Sequence, residues 1–392
     1  MMFKTSILKT STLSEITNMA SGGTPNRGVL EYWNGDIPWV TTAEVSQNIH
    51  ITSTKELITE LGLKNSSAKV FPVNSILLAM YGQGKTRGKV AMLGIKAATN
   101  QACLSILPKT KDLDIDYLYF YLEKSYEKMR KMANTGGQDN LSMALVKEMK
   151  ISYPPIEFQK KIVLFLKKID YRLQLQQEKI NLLKEQKKGY MQKILKQEIR
   201  FKDEDGREYP EWKNHLIGDY IIEYKEVTTI NNQYPVLTSS RNGIVFQREH
   251  FKNQVTTNEN IGYHVLPLNY FTYRSRSDDG KFSFNINEII EKGIISYFYP
   301  VFTLKSNMQS KYFHYYLNNC IQQDIYKEVV GTSQLVLSLN KLKQLNIKVP
   351  SVEEQKKISN LIIKFDKKIE VEQQKLDFLQ EQKKGFMQQM FI

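Results

Sequence analysis

The chain carries one stretch of sequence twice, and this repetition decides how it is organised. The first copy begins with Pro154-Pro155-Ile156-Glu157-Phe158-Gln159-Lys160-Lys161-Ile162, and the second begins with Pro350-Ser351-Val352-Glu353-Glu354-Gln355-Lys356-Lys357-Ile358. The offset of 196 residues holds without a gap as far as residues 194 and 390, and 18 of these 41 positions are identical. Identity at a fixed offset marks an internal repeat. We therefore expect two tandem units, each a variable part of roughly 150 residues followed by the repeated segment.

The repeated segment has the periodicity of a long helix. Apolar residues recur in alternating steps of four and three, which is the 3.5-residue period of a coiled-coil seam. Prolines lie just upstream of each copy, where they can open a helix. The seam is predicted to consist of Ile162, Leu166, Ile169, Leu173, Ile180, Leu183, Tyr190 and Ile194 in the first copy and of Ile358, Ile362, Phe365, Ile369, Leu376, Leu379, Phe386 and Met390 in the second.

Each seam needs an apolar partner. It can pack into the core of its own domain, or the two copies can pair, and their matching lengths favour pairing. About forty helical residues span roughly 60 Å, so antiparallel pairing would place the variable parts at opposite ends, related by an approximate two-fold axis. Lys187 and Lys383 interrupt the seam at matched places and are expected to extend toward solvent. Gly189 and Gly385, also matched, indicate a close backbone approach, a kink or a tolerated defect.

The variable parts are predicted to be mixed α/β, so that the fold class is α+β. In the first, residues 37–41, 75–81 and 103–107 have strand character, and 114–132 and 142–149 have helical spacing. In the second, residues 309–328 are predicted to be helical, and the front half matches the first poorly. The predicted domains are residues 1–152 and 201–348 for the variable parts, and 153–200 and 349–392 for the helical segments.

The charge of the chain favours a polyanionic partner. Of the formal net charge of +14, residues 153–196 carry 11 basic minus 4 acidic residues, or +7, and nucleic acid is the partner that such a surplus most often serves. The longest apolar run, residues 76–81, is far too short for a membrane span. Cys103 and Cys320 are isolated and the five histidines form no ligand pattern, which makes a metal site unexpected and a reducing cytoplasm the expected location.

Catalytic motifs are not found in the sequence. Gly84-Lys85-Thr86 matches the end of a P-loop, but the earlier glycine that the motif requires would be residue 79, which is alanine. A methyl-donor site would need a glycine-rich turn after a first strand, and an adenine methyltransferase would need a catalytic Asn/Asp-Pro-Pro-aromatic tetrad; Tyr153-Pro154-Pro155-Ile156 is not one. The chain is therefore predicted to be non-catalytic and to hold neither a metal nor a cofactor.

Basic residues in turns are the candidate DNA contacts, because guanidinium and ammonium groups bind phosphates and guanine edges. One group lies in the glycine-rich stretch 81–89, and a second candidate region is the loop 136–140. In the other variable part, residues 270–277 interleave aromatic and basic side chains. The alternative is that these are solvated surface turns. The candidates are Lys85, Thr86, Arg87, Lys89 and Gln138 in the first part and Arg241, Arg274, Arg276 and Lys281 in the second.

The order of variable part, repeated helix, variable part and repeated helix resembles the specificity subunit of type I restriction-modification enzymes, and the resemblance covers essentially the whole chain. Further marks are Gly22-Gly23-Thr24-Pro25 and Gly35-Asp36-Ile37-Pro38-Trp39-Val40. The second variable part lacks the first of these motifs, and the first copy lacks an equivalent of the stretch 201–212.

The resemblance implies that each variable part is a target recognition domain that reads one half of a split, non-palindromic DNA site. It also implies that the helices set the spacing and dock modification (methyltransferase) subunits, expected to be two, which use S-adenosylmethionine, and that restriction (motor-nuclease) subunits join for cleavage. A coiled-coil scaffold joining two protein-binding modules without DNA is the alternative. A self-contained methyltransferase or nuclease is disfavoured by the missing motifs.

Overall fold

The computed structural model describes residues 8–82, 85–133, 140–241, 243–250, 259–329 and 334–391. The chain divides into two compact units. Unit 1 consists of residues 1–178 and 374–392, and unit 2 consists of residues 179–373. Each unit therefore contains one variable part together with a piece of each repeated segment, so that the division into units cuts through the long helices.

The described residues of unit 1 form three sheets. The strands are β1 Lys9–Thr12, β2 Thr17–Ser21, β3 Trp33–Val40, β4 His50–Ile51, β5 Glu56–Ile58, β6 Val70–Phe71, β7 Ile76–Ala79, β8 Val90–Leu93, β9 Ala97–Thr99, β10 Cys103–Pro108 and β11 Lys150–Tyr153. The helices are α1 Leu13–Ile16, α2 Thr42–Gln47, α3 Glu60–Lys64, α4 Ile115–Lys124, α5 Tyr126–Ala133, α6 Met143–Lys147 and α7 Ile156–Leu195, the last shared with unit 2. The strand orders are β2-β10-β7-β8-β4, β5-β3-β9-β6 and β1-β11.

Unit 2 is built from shorter strands. These are β12 Lys213–Leu216, β13 Ile221–Tyr224, β14 Leu237–Ser240, β15 Gly243–Phe246, β16 His264–Pro267, β17 Phe271–Tyr273, β18 Arg276–Ser277, β19 Phe284–Ile286, β20 Lys292–Ile295, β21 Val301–Leu304, β22 Leu335–Val336 and β23 Asn346–Val349. The helices are α8 Gln247–His250, α9 Ser310–Asn319, α10 Gln322–Glu328, α11 Leu339–Gln344 and α12 Val352–Met390, the last shared with unit 1. The strand orders are β13-β21-β17-β19, β12-β23, β14-β15, β16-β20 and β18-β22.

The two units share an arrangement of strands and helices that is not evident from their sequences. The antiparallel order β2-β10-β7-β8 in unit 1 has the same form as β13-β21-β17-β19 in unit 2. In each unit the second strand of that order leads into a pair of helices, and an outer strand pairs with the strand before the long helix, β1 with β11 and β12 with β23. The prediction of a mixed α/β repeat is confirmed, and the likeness reaches further into the front half than the sequence indicates.

Two predicted helices are each divided. Residues 114–132 form α4 and α5, separated at Ser125, where the backbone has φ −79° and ψ 3° and the amide bonds to the carbonyls of Tyr121 and Leu122. Residues 309–328 form α9 and α10 with a break at Cys320 and Ile321. In both cases the spacing of apolar residues continues across the break, so that periodicity alone does not locate it.

The long helices pair antiparallel within each unit. In unit 1 the Phe165 ring lies 5.0 Å from the Phe386 ring, and in unit 2 the Tyr190 ring lies 5.9 Å from the Phe365 ring. In unit 2, Lys179 pairs with Glu372 and Lys187 pairs with Asp366, so that partner numbers fall as residue numbers rise. Unit 1 shows the same order, because residue 165 faces residue 386 and residue 170 pairs with residue 383. The predicted antiparallel pairing of the two repeats is therefore present in both units.

The seam departs from the predicted positions near the end of each copy. Tyr190 is 49% exposed and Phe386 is half-buried, whereas the following methionines, Met191 and Met387, are buried. These methionines pack into the cores of units 2 and 1, respectively. A straight helix drifts from a 3.5-residue repeat, and at these ends the domain core rather than the other helix selects the buried face. The other predicted seam residues are buried or half-buried: Ile162, Leu166, Ile169, Leu173, Ile180, Leu183, Ile194, Ile358, Ile362, Phe365, Ile369, Leu376, Leu379 and Met390.

One expectation for the helices is wrong, and one alternative for the matched glycines is excluded. Lys187 and Lys383 do not simply extend toward solvent, since Lys187 forms an ion pair of 2.5 Å with Asp366 and Lys383 forms one of 2.8 Å with Asp170. The two aspartates are themselves 196 residues apart, so that one Asp–Lys pair recurs in both units. Gly189 and Gly385 do not mark a close backbone approach, because a Cβ atom added at either would meet nothing within 4 Å.

A repeated glutamine fixes each long helix to its variable part. The Gln159 side chain is buried; its Oε1 accepts from the Asp114 amide at 2.9 Å, and its Nε2 donates to the carbonyls of Asp112 and Pro154 at 2.7 Å. Gln355 does the same in unit 2, with the Gln309 amide at 2.8 Å and the carbonyls of Asn307 and Pro350. All these partners are main-chain groups, which the two unlike variable parts can both supply.

Candidate nucleic-acid interface

The basic turn of unit 1 is held against α5. The Tyr126 hydroxyl donates to the carbonyl oxygen of Lys85 at 2.9 Å and accepts from the Arg130 guanidinium at 2.8 Å. The Lys89 ammonium lies 4.8 Å from the centre of the same ring, within cation–π range. Gly88 has φ +87°, and a Cβ there would lie 3.3 Å from the ring, so that glycine permits this approach. Tyr126 thus anchors the turn.

The predicted contact residues of this turn form one basic surface. Lys85 and Lys89 are exposed, and Thr86 and Arg87 are half-buried. Arg130 joins them through Tyr126, which sequence reasoning missed because α5 follows the turn only after some forty residues. Gln138 lies outside the described residues, as do residues 83 and 84 of the motif.

In unit 2 an aspartate brings two of the predicted residues together. The Arg241 guanidinium lies 2.6 Å from Asp279, which also accepts from the Lys281 amide at 3.2 Å and from the Ser277 hydroxyl at 3.0 Å. The Lys281 amide bond, followed by the contacts with Arg241 and Ser277, lowers the pKa of Asp279. This carboxylate therefore stays charged and orients the turn.

The two remaining residues follow strand β17. Arg274 and Arg276 are exposed, and the Arg276 guanidinium lies 4.2 Å from the centre of the Phe298 ring. A guanidinium stacked on an aromatic face loses less freedom when it binds a ligand. Each unit thus carries exposed basic side chains on or next to the turns of its specificity domain.

Unit 1 has a further cluster, around Arg27, that the sequence analysis does not predict. The Arg27 guanidinium lies 3.9 Å from the centre of the Trp33 ring and forms two bonds, of 2.6 and 2.9 Å, with the Glu56 carboxylate. The Trp39 indole donates to the carbonyl of Gly23 at 3.0 Å. The motifs at 22–25 and 35–40 therefore meet in one cluster, and their joint occurrence was the signal that could have indicated it.

Each unit also contains a groove beside its long helix. Groove 1, of about 550 Å³, lies in unit 1, and groove 2, of about 600 Å³, lies in unit 2. Groove 1 includes Lys89, Tyr119, Glu123, Gln380, Lys383 and Lys384 in its lining. Groove 2 includes Lys184, Lys187, Lys188, Arg241, Lys311 and Tyr315.

The charges inside groove 1 are tightly arranged. The Lys383 ammonium lies 3.0 Å from Glu123 and 2.8 Å from Asp170. Burial raises the pKa of Glu123, and the contact with Lys383 opposes that shift. Burial alone would lower the pKa of Lys383, but the two carboxylates outweigh it and raise the pKa. Lys383 in unit 1 therefore pairs with two carboxylates. In groove 2, Lys187 pairs with Asp366. The residue that matches Glu123 at the repeat offset is Asn319, which carries no charge.

The comparison with known families identifies the framework. A family model described as type I restriction modification DNA specificity domain matches residues 7–185 and 211–381. The chain belongs to this family. It carries two specificity domains in tandem, as the internal repeat predicts, and the resemblance noted in the sequence is confirmed.

Relatives agree with this assignment. The chain is 28% identical over 221 residues to the type I restriction enzyme MjaIX specificity subunit of Methanocaldococcus jannaschii, covering 53% of this chain and 50% of that protein. It is 30% identical over 174 residues to the EcoR124I/EcoR124II specificity subunit of Escherichia coli, covering 43% of this chain and 42% of that protein. The chain thus spans about half the length of these two relatives, or less.

A solved structure shows the same fold over nearly the full length. It is the S subunit of a type I restriction-modification system from M. genitalium, which matches with a TM-score of 0.55 at 13% identity and covers 100% of this chain and 98% of that one. None of the helices in the described residues has an apolar stretch of the length that a membrane span requires. Among the same residues, no group of three or more His, Cys, Asp or Glu side chains is placed to hold a metal ion.

Proposed function

We propose that this chain is the DNA sequence-specificity subunit of a type I restriction-modification complex. Each specificity domain reads one half of a split, non-palindromic DNA target. The observation that carries this proposal is the pairing of one repeated framework with two unlike sets of exposed basic residues, together with the match to two DNA specificity domains. The same match favours DNA recognition over a scaffold that joins two protein-binding modules.

Catalysis belongs to partner subunits in this proposal. Two modification subunits with S-adenosylmethionine methylate adenine, and restriction subunits join for cleavage; this chain selects the site. The support is the family membership and the absence of catalytic motifs from the sequence. The role places the protein in the cytoplasm, with the DNA that it reads.

The deciding experiment is single-molecule sequencing of methylated adenines in cells with and without this gene. We expect methylation that depends on the gene at a gapped target whose two halves differ. A continuous or palindromic target would contradict the proposal. Methyl transfer by the purified chain alone would instead support a self-contained enzyme.

The long helices fix the number of base pairs between the half-sites in this proposal. Deleting residues 175–181 and 371–377 together removes one matched heptad and leaves the Lys187–Asp366 and Lys383–Asp170 ion pairs in place. A heptad is about 10 Å of helix, or about three base pairs at 3.4 Å each. We expect the unread spacer to shorten by about three base pairs with unchanged half-sites. An altered half-site would show that the helices themselves read bases.

A further inference from the structure

The two grooves have one equivalent wall each. In both, that wall is a stretch of the repeated helix, and three positions of the repeat line both grooves, displaced by the repeat offset. These positions are Gln380, Lys383 and Lys384 in groove 1 and Lys184, Lys187 and Lys188 in groove 2. The opposite walls come from the specificity domains and differ in sequence.

The two lysines at these positions have different surroundings. The first, Lys187 or Lys383, forms the Asp–Lys pair between the helices. The second, Lys188 or Lys384, is exposed, and among the residues that the structure describes neither of these two forms an ion pair. Lys187 and Lys383 thus stabilise the pairing of the long helices. Lys188 and Lys384 present an exposed positive charge to the groove.

The opposite wall of each groove carries a candidate DNA contact. Lys89, at the end of the basic turn, lines groove 1. Arg241, held by Asp279, lines groove 2. In each unit the charge of the repeated helix therefore continues the basic surface of the specificity domain.

We propose that Lys188 and Lys384 bind phosphates of the DNA duplex beside each half-site; this rests on the proposed function. The same residue faces two domains that differ in sequence, so that its ligand is a group common to both half-sites. The phosphate backbone meets that requirement, whereas base edges do not. Lysine acts on phosphate as a point charge and needs no fixed hydrogen-bond geometry. The repeated helix is then part of the DNA-binding surface.

The test is the salt dependence of DNA binding by the full-length chain, together with its methyltransferase subunits, for the variant K188A/K384A. The probes are a duplex that carries the target found by methylation sequencing and an unrelated duplex of equal length. Each lost phosphate contact changes the slope of log K against log salt by about 0.9. We expect the slope to become shallower by about 1.8 on both duplexes, with unchanged preference for the target.

The chain offers a matched control. Lys168 and Lys364 are also 196 residues apart and exposed, and they line neither groove. K168A/K364A therefore removes the same charge from the same helices and should keep the wild-type slope. A wild-type slope for K188A/K384A would overturn the proposal. Loss of methyltransferase binding without a change of slope would also overturn it, because the two lysines would then bind an acidic protein surface. If the wild-type complex bound both duplexes equally, the proposed function itself would fail.

Discussion

The two junctions between a long helix and its specificity domain share one residue and differ at the residue before it. Gln159 and Gln355 make the same main-chain bonds. The preceding residue is Phe158 in unit 1 and Glu354 in unit 2. Glu354 is fully buried and binds the guanidinium of Arg200 at 2.9 Å and the indole of Trp212 at 2.9 Å. The two junctions thus share the glutamine that binds the main chain. They differ at the preceding residue, which in unit 2 contacts Trp212 of the extra stretch 201–212.

The largest effect is expected from Arg200→Met, which leaves the Glu354 carboxylate buried beside a single donor. Breaking a buried ion pair from one side costs about 3–5 kcal/mol. We expect that loss in the free energy of unfolding of unit 2, measured by urea denaturation with hydrogen exchange to locate it. The double variant R200M/E354Q removes the charge and should recover part of the loss. No recovery would show that packing, not charge, was responsible.

Next in size is the contrast between Lys383→Met and Lys187→Met. Lys383 is 11% exposed with two carboxylates, whereas Lys187 is 19% exposed and pairs with an aspartate that is 54% exposed. We expect K383M to destabilise unit 1 by about 3 kcal/mol, and K187M to cost unit 2 at most about 1 kcal/mol, because its partner remains hydrated. Equal losses in the same denaturation experiment would mean that the two pairs are equivalent.

A comparison of the recognition turns comes third. Arg87→Ala in unit 1 should reduce discrimination in one half-site by about 1–3 kcal/mol if the side chain reads a base, and Arg276→Ala should affect only the other half. Binding to duplexes with substitutions in each half measures this. A uniform loss with a salt slope shallower by about 1 would instead identify a phosphate contact.

The smallest effect is expected from Glu123→Gln. This substitution replaces the carboxylate by an uncharged amide, as in unit 2, where the matched residue is Asn319. The native pKa of Glu123 is raised, mainly by burial, so that the folded chain binds more protons than the unfolded chain above the ordinary glutamate pKa. This contribution to stability falls as the pH rises through that window. We expect E123Q to gain stability relative to wild type as the pH rises above the ordinary glutamate pKa of about 4.3. A difference that stays constant with pH would contradict this.

The sequence predicts the repeated frame well because identity at a fixed offset needs no knowledge of tertiary contacts. The prolines at 154, 155 and 350 place the starts of the long helices at Ile156 and Val352. Tyr190 and Phe386 still contact the other long helix, but Met191 and Met387, which the 3.5-residue period does not select, are the residues that pack into the domain cores. That difference depends on contacts between distant residues, which periodicity does not contain.

The candidate site was predicted less completely. Composition predicts the basic turn at 85–89 as a candidate site, but its anchor Tyr126 and its neighbour Arg130 come from a distant helix. Lys187 and Lys383 were assigned to solvent, because their aspartate partners are recognisable only after the helices are paired antiparallel. The glutamines at 159 and 355 were visible as repeated residues, yet their main-chain bonds give no signal in sequence.

These glutamine bonds bear on how new specificities arise. Every residue except proline presents the same backbone N–H and carbonyl groups, so these bonds do not depend on which side chains the bound loop carries. A different domain placed between the repeats would keep these bonds if its loop had the same backbone shape, although its core would also have to pack against the long helices. The residues that vary between the two domains are thereby separate from the repeated residues that attach the domains to the long helices.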